Sequence, residues 1–207
     1  EGTLLVRPDP TPSQAAVHAA LAARHPRLAI RVVPADARVE VEELVVVARR
    51  RGHEIADFAG RADLEEISAL YREAHGVGSP TPRRRIYVSR ERVRLRRTVN
   101  ERALAAALAA RGFETIHPQE MSHAEQVRTF AEAETVVGTG GAALANCLFC
   151  AAGTRLVEIC PIDSMYPFYC GLALQRGMRY RFVPGSRTRA LDAFTVDVDA
   201  VLAALER

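Results

Sequence analysis

The sequence contains no lysine and no tryptophan, and all 28 of its basic residues are arginine. With abundant alanine, this bias points to a GC-rich bacterial genome and says nothing of activity. Neither sign of charge is in large excess. The net charge is +3, which does not imply a general affinity for nucleic acid. No apolar run is long enough to cross a bilayer as a helix. The first residues, EGTLLVRPDP, lack the basic flank and apolar core of a secretory signal. The expected location is the cytoplasm, with association at the inner face of the membrane compatible with the chain. The first residue is glutamate and not methionine, which leaves room for a preceding segment. Cysteine is scarce, at four residues. Cys147 and Cys150 have C-x-x-C spacing, but no second close pair or histidine cluster accompanies them. A metal or redox site needs more than that spacing. Free thiols acting as small hydrophobes are expected, and no metal.

What is present suits one large domain or two small ones. The chain has 207 residues, 48% of them apolar, enough for a sizeable core. Strands are expected at Thr3 to Val6, Leu28 to Val33 and Val41 to Ala48. Helices are expected from a Ser13 cap to about Arg24 and from an Asp63 cap to about His75, with loop at 49–60. GVGSPTP, residues 76–82, has linker chemistry and divides the chain into 1–80 and 81–207. Beyond it come a strand at Arg85 to Ser89, a helix from an Asn100 cap ended by Gly112, and a strand at Phe113 to Ile116. Ser122 and Glu125 form a capping box that opens the next helix. After the central unit come a helix from Tyr166 to Arg176 closed by Gly177, a strand from Arg179 to Val183, an edge strand at Phe194 to Val198 and a final helix. Alternating strands and helices predict a parallel sheet with helices on both faces.

The central unit is ETVVGTGGAALANCLFCAAGTRLVEI, residues 134–159. It reads as strand, glycine turn, short helix, strand. Gly138, Gly140 and Gly141 permit positive φ and remove any Cβ from the path of a ligand. The amides of Thr139, Gly140, Gly141 and Ala142, opening a helix, suit a phosphate. Such turns also occur where nothing binds, and this stretch alone leaves both readings open. It is neither a Walker loop, since no Gly-Lys-Ser/Thr follows, nor a good G-x-G-x-x-G fingerprint. Glu158 lies near the carboxyl end of the second strand, where ligands of open α/β sheets bind. It is a candidate for ribose hydroxyls or a solvated strand end.

The run from Ser89 to Glu101 carries five arginines and leaves a strand at that same edge. Arginine's planar fork matches phosphate oxygens, so Arg90 and Arg97 are candidates for a pyrophosphate, with no metal needed. A solvated charged face is the alternative. Asn100 and Glu101 are helix-start residues that could also touch a donor. For a general base, His53, His117, His123 and Asp163 qualify by chemistry only, and no catalytic residue is assigned.

Four motifs occur in order: Tyr87-Val88-Ser89-Arg90; Arg97-Thr98-Val99-Asn100-Glu101; Gly112-Phe113-Glu114 with Glu125-Gln126; and Val136 through Asn146 with Val157-Glu158-Ile159. Across about residues 83–185 this resembles glycosyltransferase family 61, including its bacterial capsular-polysaccharide-type members. The resemblance implies a GT-B-like architecture, with a Rossmann-type C-terminal domain preceded here by a partial N-terminal α/β region. It implies a hexosyl- or pentosyltransferase taking a nucleotide sugar, often a UDP-sugar, as co-substrate and a glycan or polysaccharide as acceptor. Arg90, Arg97, Asn100, Glu101, Thr139 to Ala142, Asn146 and Glu158 would then form the donor site. Two departures stand out. The family's turn usually carries histidine in a G-x-H-G-A pattern, where this chain has Gly140, and residues 1–80 are fewer than a whole N-terminal domain. They motivate an alternative, a non-catalytic transferase-like domain that binds a nucleotide or a protein partner.

Overall fold

The computed structural model describes residues 2–43, 45, 60–93, 96–164, 167–188 and 193–206. It begins with a parallel strand pair, β1 (Gly2–Val6) and β2 (Leu28–Val32), joined through helix α1 (Pro12–Arg24). Thr11, not Ser13, caps α1. Its side chain takes the Gln14 amide in a capping box, and Pro12 occupies the first turn, where its missing N–H costs nothing. Helix α2 (Arg61–Ala74) packs on α1. Its cap is Gly60. Asp63 lies inside the first turn and accepts the Gly60 amide at 3.0 Å. The expected strand at Val41 to Ala48 is not formed at 41–43 or 45, and 46–48 lie outside the described residues, as do 49–59 of the expected loop.

Among the described residues the larger sheet has seven strands: β3 (Arg84–Val88), β4 (Arg97–Thr98), β5 (Glu114–Ile116), β6 (Ala133–Thr139), β7 (Arg155–Pro161), β8 (Arg179–Arg187) and β9 (Ala193–Val196). Their spatial order is β4-β9-β8-β7-β6-β3-β5. Every pairing is parallel except β8 with β9. The last strand is therefore internal and antiparallel to its neighbour, and two residues of the arginine run form the edge beyond it. The sheet curls: the Thr98 hydroxyl of edge strand β4 comes within 3.4 Å of the Thr139 hydroxyl on β6.

Period-2 alternation places two apolar sets on the two faces. Ile86, Val88, Val136 and Leu156 face α2, α4 (His123–Ala131), the 3-10 helix Ala142–Phe149 and α5 (Phe168–Gln175). Tyr87, Val137, Val157 and Ile159 face α3 (Glu101–Ala109) and α6 (Val198–Glu206). Leu104 and Leu108 are fully buried on α3, each worth about 2 kcal/mol of apolar burial. Gly112 and Gly177 close α3 and α5 at φ of 78° and 67°, in the left-handed region glycine tolerates best. The start of the expected helix at Tyr166 lies outside the described residues.

Candidate functional site

Strands β3 and β6 end side by side, and their carboxyl ends carry Ser89-Arg90 and Thr139-Gly140-Gly141; β7 runs on to Pro161, so Glu158, expected near its carboxyl end, lies mid-strand, level with Gly138. The glycines of the turn take no left-handed conformation; Gly141 is extended, with φ of 172°. They are required by close approach instead. A Cβ on Gly138 would lie 2.9 Å from Leu144 Cδ2 and 3.0 Å from Val88 Cβ. One on Gly140 would lie 2.6 Å from Glu158 Oε1, and one on Gly141 would collide with Arg90 Nη1. The Arg90 guanidinium thus lies against the bare Cα of Gly141, and the Glu158 carboxylate lies against that of Gly140.

Arg90 is positioned by Glu101. A single carboxylate oxygen, Glu101 Oε1, accepts the Tyr87 hydroxyl at 3.0 Å, the Ser89 hydroxyl at 2.8 Å and the Arg90 amide at 2.8 Å. Glu101 is buried at the first turn of α3. Burial, with this carboxylate beside it, drives the Tyr87 pKa upward. Glu101 therefore holds the tail of β3 through its backbone and hydroxyls. Asn100 does not cap α3 with its side chain. It bridges to β9, donating to Val196 O at 2.7 Å and accepting the Val196 amide at 3.1 Å.

Glu158 sits under the turn, 1% exposed, and accepts the Tyr180 hydroxyl at 2.7 Å. Burial pushes its pKa up to about 7, against smaller downward pulls from Tyr180 and Arg96. The Tyr169 ring also borders Gly140. Its pKa is raised by burial and by Glu158, and the Gly141 amide bonded to its hydroxyl acts in the opposite direction. Arg96 donates to Gly140 O at 2.8 Å. No reading of the sequence singled it out from the arginine run, which has no periodicity to separate inward from outward side chains. Arg97 is exposed on β4, with no hydrogen bond or ion pair among the described residues.

The turn's amides are partly committed. Gly140 N–H donates to Ile159 O at 3.2 Å, and Gly141 N–H serves Tyr169. The helix after the turn is 3-10, and its first bond runs from Leu144 N–H to Gly141 O at 2.8 Å. Ala142 and Ala143 precede that bond, so their N–H groups lack an intrahelical acceptor. The anion donors expected at Thr139 to Ala142 therefore shift toward Ala142 and Ala143. Asn146, further along, donates to Gln126 Oε1 at 2.8 Å, while Gln126 donates to Pro118 O and Met121 O.

Of the candidate bases, His117 lies at the carboxyl end of β5, beside Ser89, whose amide bonds Ile116 O. Its Nδ1 is buried without a partner among the described residues. His123 instead bonds Ser13 and His75 on another flank, and burial, then His75, lowers its pKa. Asp163 pairs with Arg187 at 2.6 Å, and His53 is outside the described residues.

The family model for glycosyltransferase 61 matches residues 4–157, about three quarters of the chain. The chain belongs to glycosyltransferase family 61. The match begins far upstream of residue 83, so β1, α1, β2 and α2 fall within it, and it ends one residue before Glu158. A search of curated proteins returned no match. Among the described residues no helix is long and apolar enough to cross a membrane, and no cluster of three or more His, Cys, Asp or Glu could hold a metal. All four cysteines are free thiols.

Proposed function

We propose that this family 61 chain transfers a hexosyl or pentosyl group from a nucleotide sugar, a UDP-sugar in this reading, to a glycan or polysaccharide acceptor on a GT-B-like scaffold. The observation that carries it is the Arg90 guanidinium held against bare Gly141, one step before the first amides of a helix. As the bond from the sugar to the diphosphate breaks and the bond to the acceptor oxygen forms, negative charge grows on the leaving phosphate. Arg90 and the Ala142 and Ala143 amides would meet that charge, which preorganised donors stabilise more than they do the ground state. In this reading the arginines take the place of a metal. Glu158 would act from beneath the turn, setting its shape and not meeting the ribose. His117 is the base candidate at this edge.

Calorimetry against uridine, guanosine, cytidine and adenosine diphosphates tests donor binding. The expected outcome is a uridine preference, and failure of every nucleoside diphosphate to bind at millimolar concentration removes the proposal.

One observation favours the second reading, a nucleotide-binding domain without turnover. Glu158 Oε1 fills the space that a side chain at position 140, the family's usual histidine, would need. Sugar transfer or donor hydrolysis above background by the chain excludes it.

A further inference from the structure

At the amino edge of the same sheet, remote from the glycine turn, a cleft of about 470 Å³ opens between α2, the end of the 3-10 helix and the end of α5. Its walls include Glu65, Arg72, Ser79, Cys150 and Arg176. Arg176 is 8% exposed, and it donates from Nη2 to Cys150 O at 3.0 Å. Its Nε is buried and has no partner among the described residues. The same holds for Arg72 Nε; Arg72 Nη1 reaches Gly78 O and Ser79 Oγ only at 3.4 Å. Neither arginine belongs to an ion pair among the described residues. The carboxylate on this wall, Glu65, is half exposed and already bonded to Arg61 at 2.9 Å. Two guanidinium groups, those of Arg72 and Arg176, therefore line the cleft beside one carboxylate that is already paired. Burial lowers the Arg176 pKa; Glu65 opposes this, while Arg72 lowers it further. A guanidinium cannot shed its proton to escape such a site, and buried polar hydrogens without acceptors are rare and call for a ligand or water.

We infer that this cleft binds one phosphate group, free or carried on a larger molecule. Arg72 on α2 and Arg176, the residue that ends α5, offer guanidinium donors from two separate elements, and the Ser79 hydroxyl adds a third group. That set matches a tetrahedral oxyanion better than a planar carboxylate. The site is independent of the transfer reaction proposed for the opposite edge.

The test is titration of the whole chain with inorganic phosphate at constant ionic strength, followed by calorimetry and thermal unfolding. One phosphate per chain should bind saturably and raise Tm. Arg90→Ala should keep that binding, because Arg90 is at the other edge. Arg72→Met should weaken it at least tenfold while leaving nucleoside diphosphate affinity unchanged. Arg176→Met should do the same; if it misfolds, Arg72→Met, at a partly exposed position, decides. Glycerol phosphate identifies the source. Binding at least tenfold tighter than inorganic phosphate, and lost with Arg72, supports a phosphate carried on a larger molecule, and equal binding supports the free ion. No saturable effect in the native chain, an unchanged effect in Arg72→Met, or loss in Arg90→Ala alone would overturn the site.

Discussion

Glu101 and Glu158 are both buried near the carboxyl ends of β3 and β6 but serve opposite faces, and their surroundings differ. Glu101, on the α3 face, offers one oxygen to three donors. Glu158, on the other face, accepts the Tyr180 hydroxyl under a layer of glycine backbone. Burial alone does not decide what a carboxylate does. With several convergent donors the anion becomes a clamp, and here it fixes the strand tail that carries Arg90. With few donors the charge is poorly compensated, and the group gains a proton near neutrality.

The largest expected effect breaks the clamp. Glu101→Ala leaves two buried hydroxyls and an amide without their acceptor. At 1–3 kcal/mol for each orphaned group, partly recovered by relaxation, the loss is on the order of 4 kcal/mol. Urea unfolding measures it. Glu101→Gln keeps one acceptor oxygen without the charge and should lose about half as much. A loss below about 1 kcal/mol for Glu101→Ala would show that the three bonds are not a clamp.

Glu158 predicts a change of opposite sign, dependent on pH. Its pKa is raised by folding from an ordinary 4.5 to about 7. Below the lower value both folded and unfolded chains hold the proton, and the group costs nothing. Between the two values the unfolded chain releases its proton first, so stability falls as pH rises. Above the upper value the full cost, on the order of 3 kcal/mol, is present. Glu158→Gln keeps an acceptor for Tyr180 and removes the ionisation. The variant should be more stable than the native chain at pH 8 by on the order of 2–3 kcal/mol, and nearly equal at pH 4.5. Equal effects at both pH values in unfolding experiments would erase the contrast with Glu101.

Between these carboxylates lies Arg90. Arg90→Ala should weaken nucleoside diphosphate binding by on the order of 1.5–3 kcal/mol, and Arg90→Lys should recover only part. Gly141→Ala should imitate it, because the new methyl group takes the place of the guanidinium. Calorimetry reads both. If Gly141→Ala leaves affinity intact while Arg90→Ala lowers it, the arginine works from a different position.

Much of this frame was legible. Ile86 to Val88, Thr135 to Val137 and Leu156 to Ile159 are rich in apolar and β-branched residues, and they form the central strands. The Ser122 capping box and the Gly112 and Gly177 stops are local signals and also hold. What escaped the sequence reading depends on distant residues. Thr11 and Ser13 both suit a cap, and Pro12 between them was the available clue, since proline belongs just after a cap. The glycine turn reads in the sequence as permitting positive φ and as clearing the path of a ligand. Its glycines are instead forced by Arg90, from 51 positions upstream, and by Glu158 from below. Arg96 and Arg97 are adjacent in one charged run, and only the curl that brings β4 toward β6 separates their roles.

The smallest effect is expected at Arg97, and it sharpens where the site ends. Strand β4 has two described residues. Thr98 turns inward to Thr139, so alternation directs Arg97 to the other side, where it is exposed. An exposed side chain without a partner contributes little, and Arg97→Ala should change stability by less than about 0.5 kcal/mol. Nucleoside diphosphate affinity should stay within about twofold, corresponding to roughly 0.4 kcal/mol. Arg96→Ala, which removes a hydrogen bond to Gly140 O from a charged donor, should cost more, about 1.5 kcal/mol in stability. Calorimetry on Arg97→Ala with a nucleoside diphosphate and with the intact nucleotide sugar separates two outcomes. An effect on the sugar-bearing donor alone would place the transferred sugar over β4. A loss as large as that of Arg90→Ala for both would mean that the phosphates lie across β4 and not at the glycine turn, and the contrast between the two carboxylates would no longer bracket the site.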